Sequence, residues 1–366
     1  MKNKKILKPV LLLVLSVAII FFIFCTSKKP TKYEPKSYML YVQNGMRDFY
    51  GGGIYIIDTR SDTFTDTIHF DRPGMIQVSP DGASLHMARL EGDTINGEPN
   101  YYYMYYEFDT RTKSIKYKGP HGGITITPNG KYLFHGMNIV DAKTHQLVHS
   151  DSIQPIAAIP AFDRNAPLVY VGALKRGTIG IFNYNTLKWV RFFEIVLKVG
   201  QTPTFMDLLV SPDGKTLYFV AQIPISNHGI FGAYDLANDS LVEEFQVNSP
   251  YGDLAVTNNG MYVYITDPAA FECFDCLQPT QKIAIYETQN NTIMPPIALD
   301  SFDVPDVVAW YTRWIVVQPV EDKAYIASWP GPVIFVLDTK NNVVIDTIMF
   351  SSPPGPNLGT LAIQSL

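Results

Sequence analysis

The sequence predicts an all-β fold in which seven similar four-stranded antiparallel sheets form a closed ring. Two turn motifs that alternate along the chain predict this fold, together with a C-terminal segment that matches an earlier strand. Hydrophobic residues make up 46% of the 366 residues and charged residues 17%, so the chain can bury a large core. Its 22 Tyr and 21 Phe suit strands that are buried on both faces.

The first 36 residues differ in character from the rest. Several Lys residues precede an apolar run from Val10 to Phe24, which Cys25 and a polar stretch from Thr26 to Lys36 follow. As a helix this run would be about 22 Å long, short of the roughly 30 Å hydrocarbon core of a bilayer. A charged start before a short apolar core indicates an export signal. We therefore expect a signal or membrane anchor at 1–25, a tether at 26–36 and one folded domain at 37–366.

Two kinds of membrane attachment remain open. Cys25 directly after the apolar run resembles a bacterial lipoprotein signal, in which this Cys is acylated and becomes the mature N-terminus. Phe24 stands where such signals have a small residue, and an uncleaved signal anchor is the alternative. Both predict an exported domain on the periplasmic or extracellular side of a membrane. A buried helix of the globular domain is a third interpretation of the run.

The first repeated motif is an apolar strand that runs into Asp-Thr or a variant of it. It recurs about every 47 residues from Asp58 to Asp338, which matches the 40–50 residues of a four-stranded propeller blade. The seven copies are Asp58-Thr59, Asp109-Thr110, Asp141-Ala142, Asn185-Thr186, Asp235-Leu236, Glu287-Thr288 and Asp338-Thr339.

The second motif is a strand that ends in a tight turn of the Pro-Asp-Gly kind. Pro presets the backbone for an early turn position, and Asp-Gly or Asn-Gly supplies residues that tolerate a left-handed conformation. The clear copies are Ser79-Pro80-Asp81-Gly82, Thr127-Pro128-Asn129-Gly130, Ser211-Pro212-Asp213-Gly214 and Thr257-Asn258-Asn259-Gly260. Degraded copies begin at Phe162 and at Gln318.

The order of the motifs predicts how the ring closes. If the strands of each sheet are a, b, c and d from the axis outward, the Pro-Asp-Gly turn joins a to b and the Asp-Thr turn joins c to d. The folded region opens at Tyr38 with a b strand and closes at Leu361–Ser365 with a segment that parallels Met75–Ser79. The C-terminal strand should therefore complete the first sheet, giving a seven-bladed β-propeller closed by three strands from one end and one from the other.

Tyr41-Val42-Gln43-Asn44, with the Asp-Thr and Ser-Pro-Asp-Gly turns, resembles the YVTN-type β-propeller repeat over residues 38–366. Members of that family include surface-layer and periplasmic proteins. The propeller subunits of quinone-dependent amine dehydrogenases are more distantly similar. The resemblance implies the fold and says little about function.

The strand connectivity also predicts on which face of the ring each connection lies. The a–b and c–d turns share one face of the ring, and the longer b–c and d–a connections share the other, which we call the loop-rich face. Its long connections are 90–100, 196–204, 222–229, 267–281 and 299–314. Long loops on a rigid scaffold commonly carry binding sites, although they can also be tolerated insertions. Carboxylates, aromatics and a cation there make up the candidate binding set: Glu91, Asp93, His228, Phe271, Phe274, Asp303, Asp306, Tyr311, Arg313 and Trp314.

Cys273 and Cys276 form a lone Cys-Phe-Asp-Cys in one of these connections. In an exported protein we expect a local disulfide, with free thiols or a metal or redox role as the alternatives. One such pair supplies at most half of a tetrahedral zinc site.

Signatures of catalysis are missing from the sequence. The seven His residues have no metal-ligand spacing, and no nucleophile elbow, phosphate loop or dinucleotide fingerprint occurs. We expect no metal, no cofactor and, with a net charge of −5, no nucleic-acid partner. The favoured hypothesis is a non-enzymatic envelope protein that binds a protein, peptide or glycan. The alternative is an accessory subunit of an amine dehydrogenase-like oxidoreductase, and a hydrolase or lyase is a third option.

Overall fold

The structure is a computed structural model that describes thirteen stretches of the chain. They are residues 38–44, 52–95, 98–120, 125–151, 160–172, 177–198, 200–223, 229–247, 252–266, 282–299, 311–329, 331–350 and 358–363. The predicted domain limits at residues 25 and 36 lie outside these ranges. Within them, no helix is long and apolar enough to cross a membrane.

The described residues form seven four-stranded antiparallel sheets, as the repeats predict. In chain order the strands are β1 (Met39–Asn44), β2 (Gly53–Asp58), β3 (Thr63–His69), β4 (Met75–Val78), β5 (Ser84–Ile95), β6 (Glu98–Asp109), β7 (Ile115–Gly119), β8 (Thr125–Ile126), β9 (Tyr132–His135), β10 (Asn138–Asp141), β11 (Leu147–Ser150), β12 (Ala161–Phe162), β13 (Leu168–Gly172), β14 (Thr178–Asn183), β15 (Lys188–Glu194), β16 (Thr204–Val210), β17 (Thr216–Gln222), β18 (Gly229–Asp235), β19 (Ser240–Val247), β20 (Leu254–Val256), β21 (Tyr262–Thr266), β22 (Lys282–Glu287), β23 (Thr292–Ala298), β24 (Tyr311–Val317), β25 (Lys323–Trp329), β26 (Val333–Asp338), β27 (Val343–Met349) and β28 (Leu358–Ile363). Blade 1 has the order β28-β1-β2-β3, and each later set of four consecutive strands from β4 onward forms blades 2 to 7. The chain is thus a seven-bladed β-propeller.

The closure of the ring in blade 1 is confirmed. Strand β28 pairs antiparallel with β1, so that Ala362 lies opposite Tyr41. Gln43 reinforces this joint, because its Oε1 accepts hydrogen bonds from the backbone N and the hydroxyl of Thr360 at 3.1 and 3.0 Å. The Gln43 amide also donates to the carbonyl of Pro73 at 2.6 Å, which links blade 1 to the segment that enters blade 2.

The two motifs form the turns that were assigned to them. In the Pro-Asp-Gly turns the Gly has a positive φ, for example 72° at Gly82, and its N–H bonds the carbonyl of the first Ser or Thr. In five of the described c–d turns a carboxylate or amide accepts the backbone N–H groups two and three residues later, as Asp109 does from Arg111 and Thr112. One assignment is wrong by two residues: in blade 4 the capping side chain is Asn183 and not Asn185.

The hydrophobic core lies between the blades. The described residues form seven buried clusters, and each draws its members from two neighbouring blades. Strands b and c are almost wholly buried, whereas strand d alternates exposed and covered residues, as in the pattern eieieie of β15. Each interface between blades, which we call a seam, therefore holds its own share of the core, and the ring needs all seven.

Each c–d turn contains a residue in the left-handed conformation, and at several seams this residue contacts the preceding blade. This residue follows the capping residue by four positions in every blade: Asp62, Lys113, His145, Leu187, Asp239, Asn291 and Asn342. Within the described part of the chain, strand d of the preceding blade contacts this residue from the rim in three seams, through the ion pairs Asp66–Lys113 and Arg191–Asp239 and through the stacking of Tyr117 on His145.

Strand b of the preceding blade contacts the same residue from inside at two seams. The Tyr325 hydroxyl donates to Asp62 at 2.6 Å, and the Tyr264 hydroxyl donates to Asn342 at 2.5 Å. The strand pairing places Tyr41, His86, Phe134, Tyr170 and Tyr218 at the same position of their b strands. Across the next seam, Phe134 shares a cluster with Leu187, so an apolar pair replaces the polar one there.

Candidate functional site

The most prominent feature of the loop-rich face is a long hairpin in blade 2. The sequence reading placed a loop at 90–100, and this is wrong. Strands β5 and β6 each run for 12 residues and stay paired as far as Ile95 opposite Glu98. They extend beyond β4 and β7, whose pairing reaches no farther than Ala88 and Tyr105. A signal for this hairpin was present in Asn96-Gly97, the dipeptide typical of a two-residue hairpin turn.

A network of charged and aromatic side chains holds the inner part of the hairpin. The Tyr106 hydroxyl donates to the Glu91 carboxylate, and the Lys118 ammonium lies 3.4 Å from the other oxygen of Glu91. Partial burial opposes ionisation of Glu91, but this bond and the charges of Lys118 and Arg89 hold its pKa below the usual range. The Arg89 guanidinium lies over the ring of Phe70, 5.3 Å from its centroid, which ties the hairpin to blade 1. Of the predicted binding residues, Glu91 thus serves to brace this hairpin.

The opposite side of the hairpin is open. Leu90 and Tyr103 are cross-strand partners, and they are 53% and 54% exposed. They point toward blade 3, where strands β9 and β10 are four residues each and are joined by the two-residue turn Gly136-Met137. The hairpin of blade 2 therefore extends farther on the loop-rich face than blade 3 does, and Leu90 and Tyr103 lie on the side of the hairpin that faces blade 3. Asp93, another predicted residue, lies in β5 beyond this pair.

The aromatic and cationic group near Trp314 is placed differently from its prediction. Tyr311, Arg313 and Trp314 belong to strand β24, the a strand of blade 7, so the connection from blade 6 ends before them. A bulge falls between Thr312 and Trp314. Trp314 is partly buried and packs against the cluster between blades 7 and 1, which makes it part of the core.

The remaining sequence-derived candidates lie outside the described residues. They are His228, Phe271, Phe274, Asp303 and Asp306, the proposed Cys273–Cys276 disulfide and the lipidation candidate Cys25. Their roles stay predictions. One further connection, 196–204, is described in part and is held in place: Leu197 is buried, and the Lys198 ammonium lies 2.8 Å from Glu243.

Sequence reasoning missed a pair of carboxyl groups near the ring axis. Asp207 lies on strand a of blade 5, and Asp253 precedes strand a of blade 6. Asp207 accepts the backbone N–H of Leu254 at 2.8 Å, and Asp253 accepts that of Ile315 at 2.9 Å. Burial, and then the negative charge of Asp253, raise the pKa of Asp207 well above its usual range. Burial and the neighbouring carboxylate therefore favour the protonated form of Asp207.

These bonds follow one rule. When the a strands of neighbouring blades are aligned by their pairing with strand b, each acceptor residue stands one position before the residue that donates to it from the next blade. Thr360 of blade 1 repeats the arrangement, because its hydroxyl accepts the N–H of Ile76 in blade 2 at 3.2 Å. Gln77 of blade 2 does the same, because its Oε1 accepts the N–H of Ile126 in blade 3 at 2.7 Å. Among the described residues, four seams are therefore joined near the axis by this contact. The described residues place no cationic partner at Asp207, and the backbone N–H bonds identify the carboxyl pair as a structural element.

A second missed cluster lies in the seam between blades 2 and 3. The Glu107 carboxylate is 2.6 Å from the Ser84 hydroxyl, 3.1 Å from the Lys116 ammonium and 3.3 Å from Nε2 of His145. His86 is bonded to the Tyr105 hydroxyl at 2.8 Å, and desolvation lowers its pKa to about 4. Ser84, Glu107 and Lys116 all belong to blade 2, so the contact of Glu107 with His145 of blade 3 is the one that crosses the seam. Across the described residues, no three His, Cys, Asp or Glu side chains are grouped so that they could hold a metal.

Comparison with known proteins supports the fold alone. No protein-family model matches the sequence, and no curated protein matches it either. Among solved structures, hydrazine synthase of Kuenenia stuttgartiensis is similar with a TM-score of 0.57 and 17% identity, over 76% of this chain and 86% of that one. Dihydro-haem d1 dehydrogenase NirN has a TM-score of 0.55 and 13% identity, over 89% and 66%.

The Pan2 WD40 domain of Neurospora crassa has a TM-score of 0.53 and 13% identity, over 74% of this chain and 78% of that one. These proteins differ in activity, and propellers in general host unrelated functions. At such identities the similarity shows the propeller fold and gives no information about activity or ligands.

Proposed function

We propose that this chain is a non-enzymatic binding protein of the cell envelope that captures a protein partner through its loop-rich face. The observation that carries the proposal is the exposed pair Leu90 and Tyr103 on a hairpin that rises above its neighbouring blade. A large aliphatic and an aromatic side chain, fixed on strands rather than on loops, are suited to anchor an interface. The Glu91 network keeps the hairpin in place before any partner arrives, which lowers the entropy cost of binding.

The shape of the hairpin favours a protein segment in an extended conformation. Beyond Ala88 on β5 and before Tyr105 on β6, no described strand pairs with the outer edges of the hairpin. Open strand edges accept an additional strand through backbone hydrogen bonds. Leu90 and Tyr103 would then receive the apolar side chains of that segment. A glycan would gain less from this apolar pair, so we assign the partner to the protein class.

The N-terminal sequence supports the placement at the envelope. A Lys-rich start, a short apolar run and Cys25 fit export followed by attachment to a membrane, with 26–36 as the tether. Mass determination of the mature N-terminus tests this placement. We expect a lipid-modified Cys25 and release of the protein into the soluble fraction in Cys25→Ser. An unmodified chain that still begins at Met1 would replace lipidation by an uncleaved anchor.

Site-specific photo-crosslinking tests the binding face. A photoreactive phenylalanine analogue is placed at Tyr103 in the full-length chain, in cells of the organism that encodes it. The matched control carries the same analogue at Phe64, an equally exposed aromatic residue on the outer strand β3. We expect one defined protein product from position 103 and none from position 64, and Leu90→Asp should abolish that product.

Two outcomes contradict the proposal. Equal product patterns from both positions, or a product that survives Leu90→Asp, would remove the hairpin as the binding element. Purification of the chain with a haem- or quinone-bearing subunit, together with amine-dependent dye reduction, would favour the oxidoreductase alternative.

A further inference from the structure

The turn face, opposite the hairpin, carries a polar cavity of about 480 Å³ in the seam between blades 5 and 6. Its floor is formed by the buried Tyr218 and Tyr286. Its walls come from turns of the two blades, among them Asp213, Asn259 and Gln289. The volume lies in the range of small-molecule sites, which is about 300–1,000 Å³.

Comparison with the other seams explains why the space is open here. At seams 6/7 and 7/1 the strand-b tyrosine reaches the left-handed residue of the next blade, through Tyr264 to Asn342 and Tyr325 to Asp62. At seam 5/6 the left-handed residue Asn291 instead accepts a bond from Tyr286 of its own blade, at 2.7 Å. The hydroxyl of Tyr218 interacts with Thr216 of its own blade and forms no bridge to Asn291.

The rim differs at this seam as well. At seam 4/5 strand d supplies Arg191, which closes on Asp239 at 2.6 Å. The residue at the corresponding position of blade 5 is Glu243, and its carboxylate is turned to Lys198 at 2.8 Å. Val242, one position earlier, lines the cavity instead. Both contacts that close other seams are therefore absent from this one among the described residues.

The lining has the chemistry of a polyol site. The Gln289 amide offers a donor and an acceptor, and the Asn259 amide nitrogen offers a further donor, because its Oδ1 already accepts from Thr257 and Met261. The hydroxyl of Thr288 donates to the Gly260 carbonyl, so its oxygen is left as an acceptor, and the Tyr218 hydroxyl also belongs to the lining. Such a set matches hydroxyl groups that donate and accept at once. The rings of Tyr218 and Tyr286 lie below them with centroids 6.1 Å apart, and because both residues are buried they close the floor of the cavity. We infer that this cavity binds a neutral polyhydroxyl compound of hexose size, a function separate from capture of a protein on the other face.

The charges around the cavity exclude anionic ligands. Of the described residues that line it, none is Lys or Arg, whereas Asp213 and Asp235 belong to the lining; Lys215 lies outside it, with its ammonium 3.6 Å from Asp213. Bonds from Ser211 hold the pKa of Asp213 below its usual range, and bonds from backbone N–H groups do the same for Asp235. Both carboxylates are thus ionised at neutral pH. A sugar phosphate would meet repulsion where the free sugar meets hydrogen-bonding partners.

The test uses ligand-observed NMR with glucose, galactose, N-acetylglucosamine and, as the anionic counterpart, glucose 6-phosphate. We expect saturation transfer to at least one neutral sugar, weaker transfer to glucose 6-phosphate, and at least tenfold weaker binding in Val242→Trp, which fills the cavity from its exposed rim. Val190→Trp is the matched control, because Val190 occupies the same exposed position of strand d in blade 4.

A second variant separates the ligand site from the fold. Tyr218→Phe should weaken sugar binding without a large change in melting temperature, since its hydroxyl does not bridge the blades. Tyr325→Phe, the corresponding change at seam 7/1, should leave sugar binding intact. Binding to none of the three neutral sugars, equal binding in Val242→Trp, or preference for glucose 6-phosphate would each overturn the inference.

Discussion

At the scale of single residues, a few polar side chains hold one blade to the next. The Tyr325 hydroxyl bonds Asp62 at 2.6 Å and the Thr59 carbonyl at 3.2 Å, and both acceptors belong to the next blade. Lys323 lies 2.7 Å from the same Asp62, which is largely covered. Removal of one member leaves the others poorly satisfied in a low-dielectric seam.

Tyr325→Phe should therefore lower the free energy of unfolding by about 1–3 kcal/mol, because Asp62 loses its hydroxyl donor and keeps only Lys323. Tyr218→Phe, with no such bridge, should cost less than half as much. Chemical denaturation of both variants beside the parent protein measures the difference. Equal losses would show that the hydroxyl bridge contributes nothing special to seam 7/1.

Asp207 predicts a pH dependence with a definite sign. Burial and Asp253 raise its pKa in the folded protein above the unfolded value of about 3.9. Its contribution to stability is therefore complete below pH 4 and is lost as the pH rises through the raised pKa. Asp207→Asn keeps a neutral, hydrogen-bonding side chain and should remove that loss. The melting temperature of the variant relative to the parent should rise between pH 4 and pH 9.

Asp235→Asn provides a control of opposite sign. Bonds from backbone N–H groups lower the pKa of Asp235, so its contribution is present above pH 4 and is lost as the pH falls. This variant should become less stable relative to the parent as the pH rises from about 3 to 5 and should then level off. A melting temperature of Asp207→Asn that runs parallel to the parent at every pH would refute the raised pKa of Asp207.

At the scale of elements, the two strands of the blade 2 hairpin have two different tasks. Their inner halves belong to the ring, where Met87 and Tyr106 are buried in the cluster between blades 1 and 2. Their outer halves have no second paired strand among the described residues and expose Leu90 and Tyr103. Function and stability can therefore be separated along this one element.

Replacement of 92–101 by a two-residue Asn-Gly turn should leave the melting temperature of the ring nearly unchanged. The shortened hairpin keeps the residues of the inner half, including Tyr106 and Glu91, but loses the raised support for the exposed pair. The crosslink from position 103 should disappear at the same time. A fall of more than about 8 °C, equivalent to several kcal/mol for a chain of this size, would show that the outer half supports the ring.

The elements also show what the sequence can and cannot predict. Turn chemistry is local, so the repeated Asp-Thr and Pro-Asp-Gly motifs predict strand order, blade count and closure. The length of a hairpin is local as well, and Asn96-Gly97 would have revealed the long pairing of β5 with β6. The contact between Asp207 and Asp253 is different, because 46 residues separate them and the register of two blades decides their distance. No periodicity within one strand carries that information.

At the scale of the whole molecule, the ring has no independent part. Each of the seven core clusters is shared by two blades, so a blade that is lost exposes the buried faces of both neighbours. Deletion of strand β28 tests this dependence of each blade on its neighbours with the smallest change to the chain. Removal of 358–366 should expose Leu40 and Tyr41 of blade 1 and replace one sharp thermal transition by a lower and broader one.

Closure by the two chain ends is the central claim, and hydrogen exchange tests it most directly. Peptides that cover 39–44 and 358–363 are followed by mass spectrometry in the intact protein at neutral pH. Because the two strands share one ladder and the Gln43–Thr360 bonds, both should exchange slowly and at the same rate. Exchange of 358–363 within seconds, while 39–44 stays protected, would contradict a closed ring.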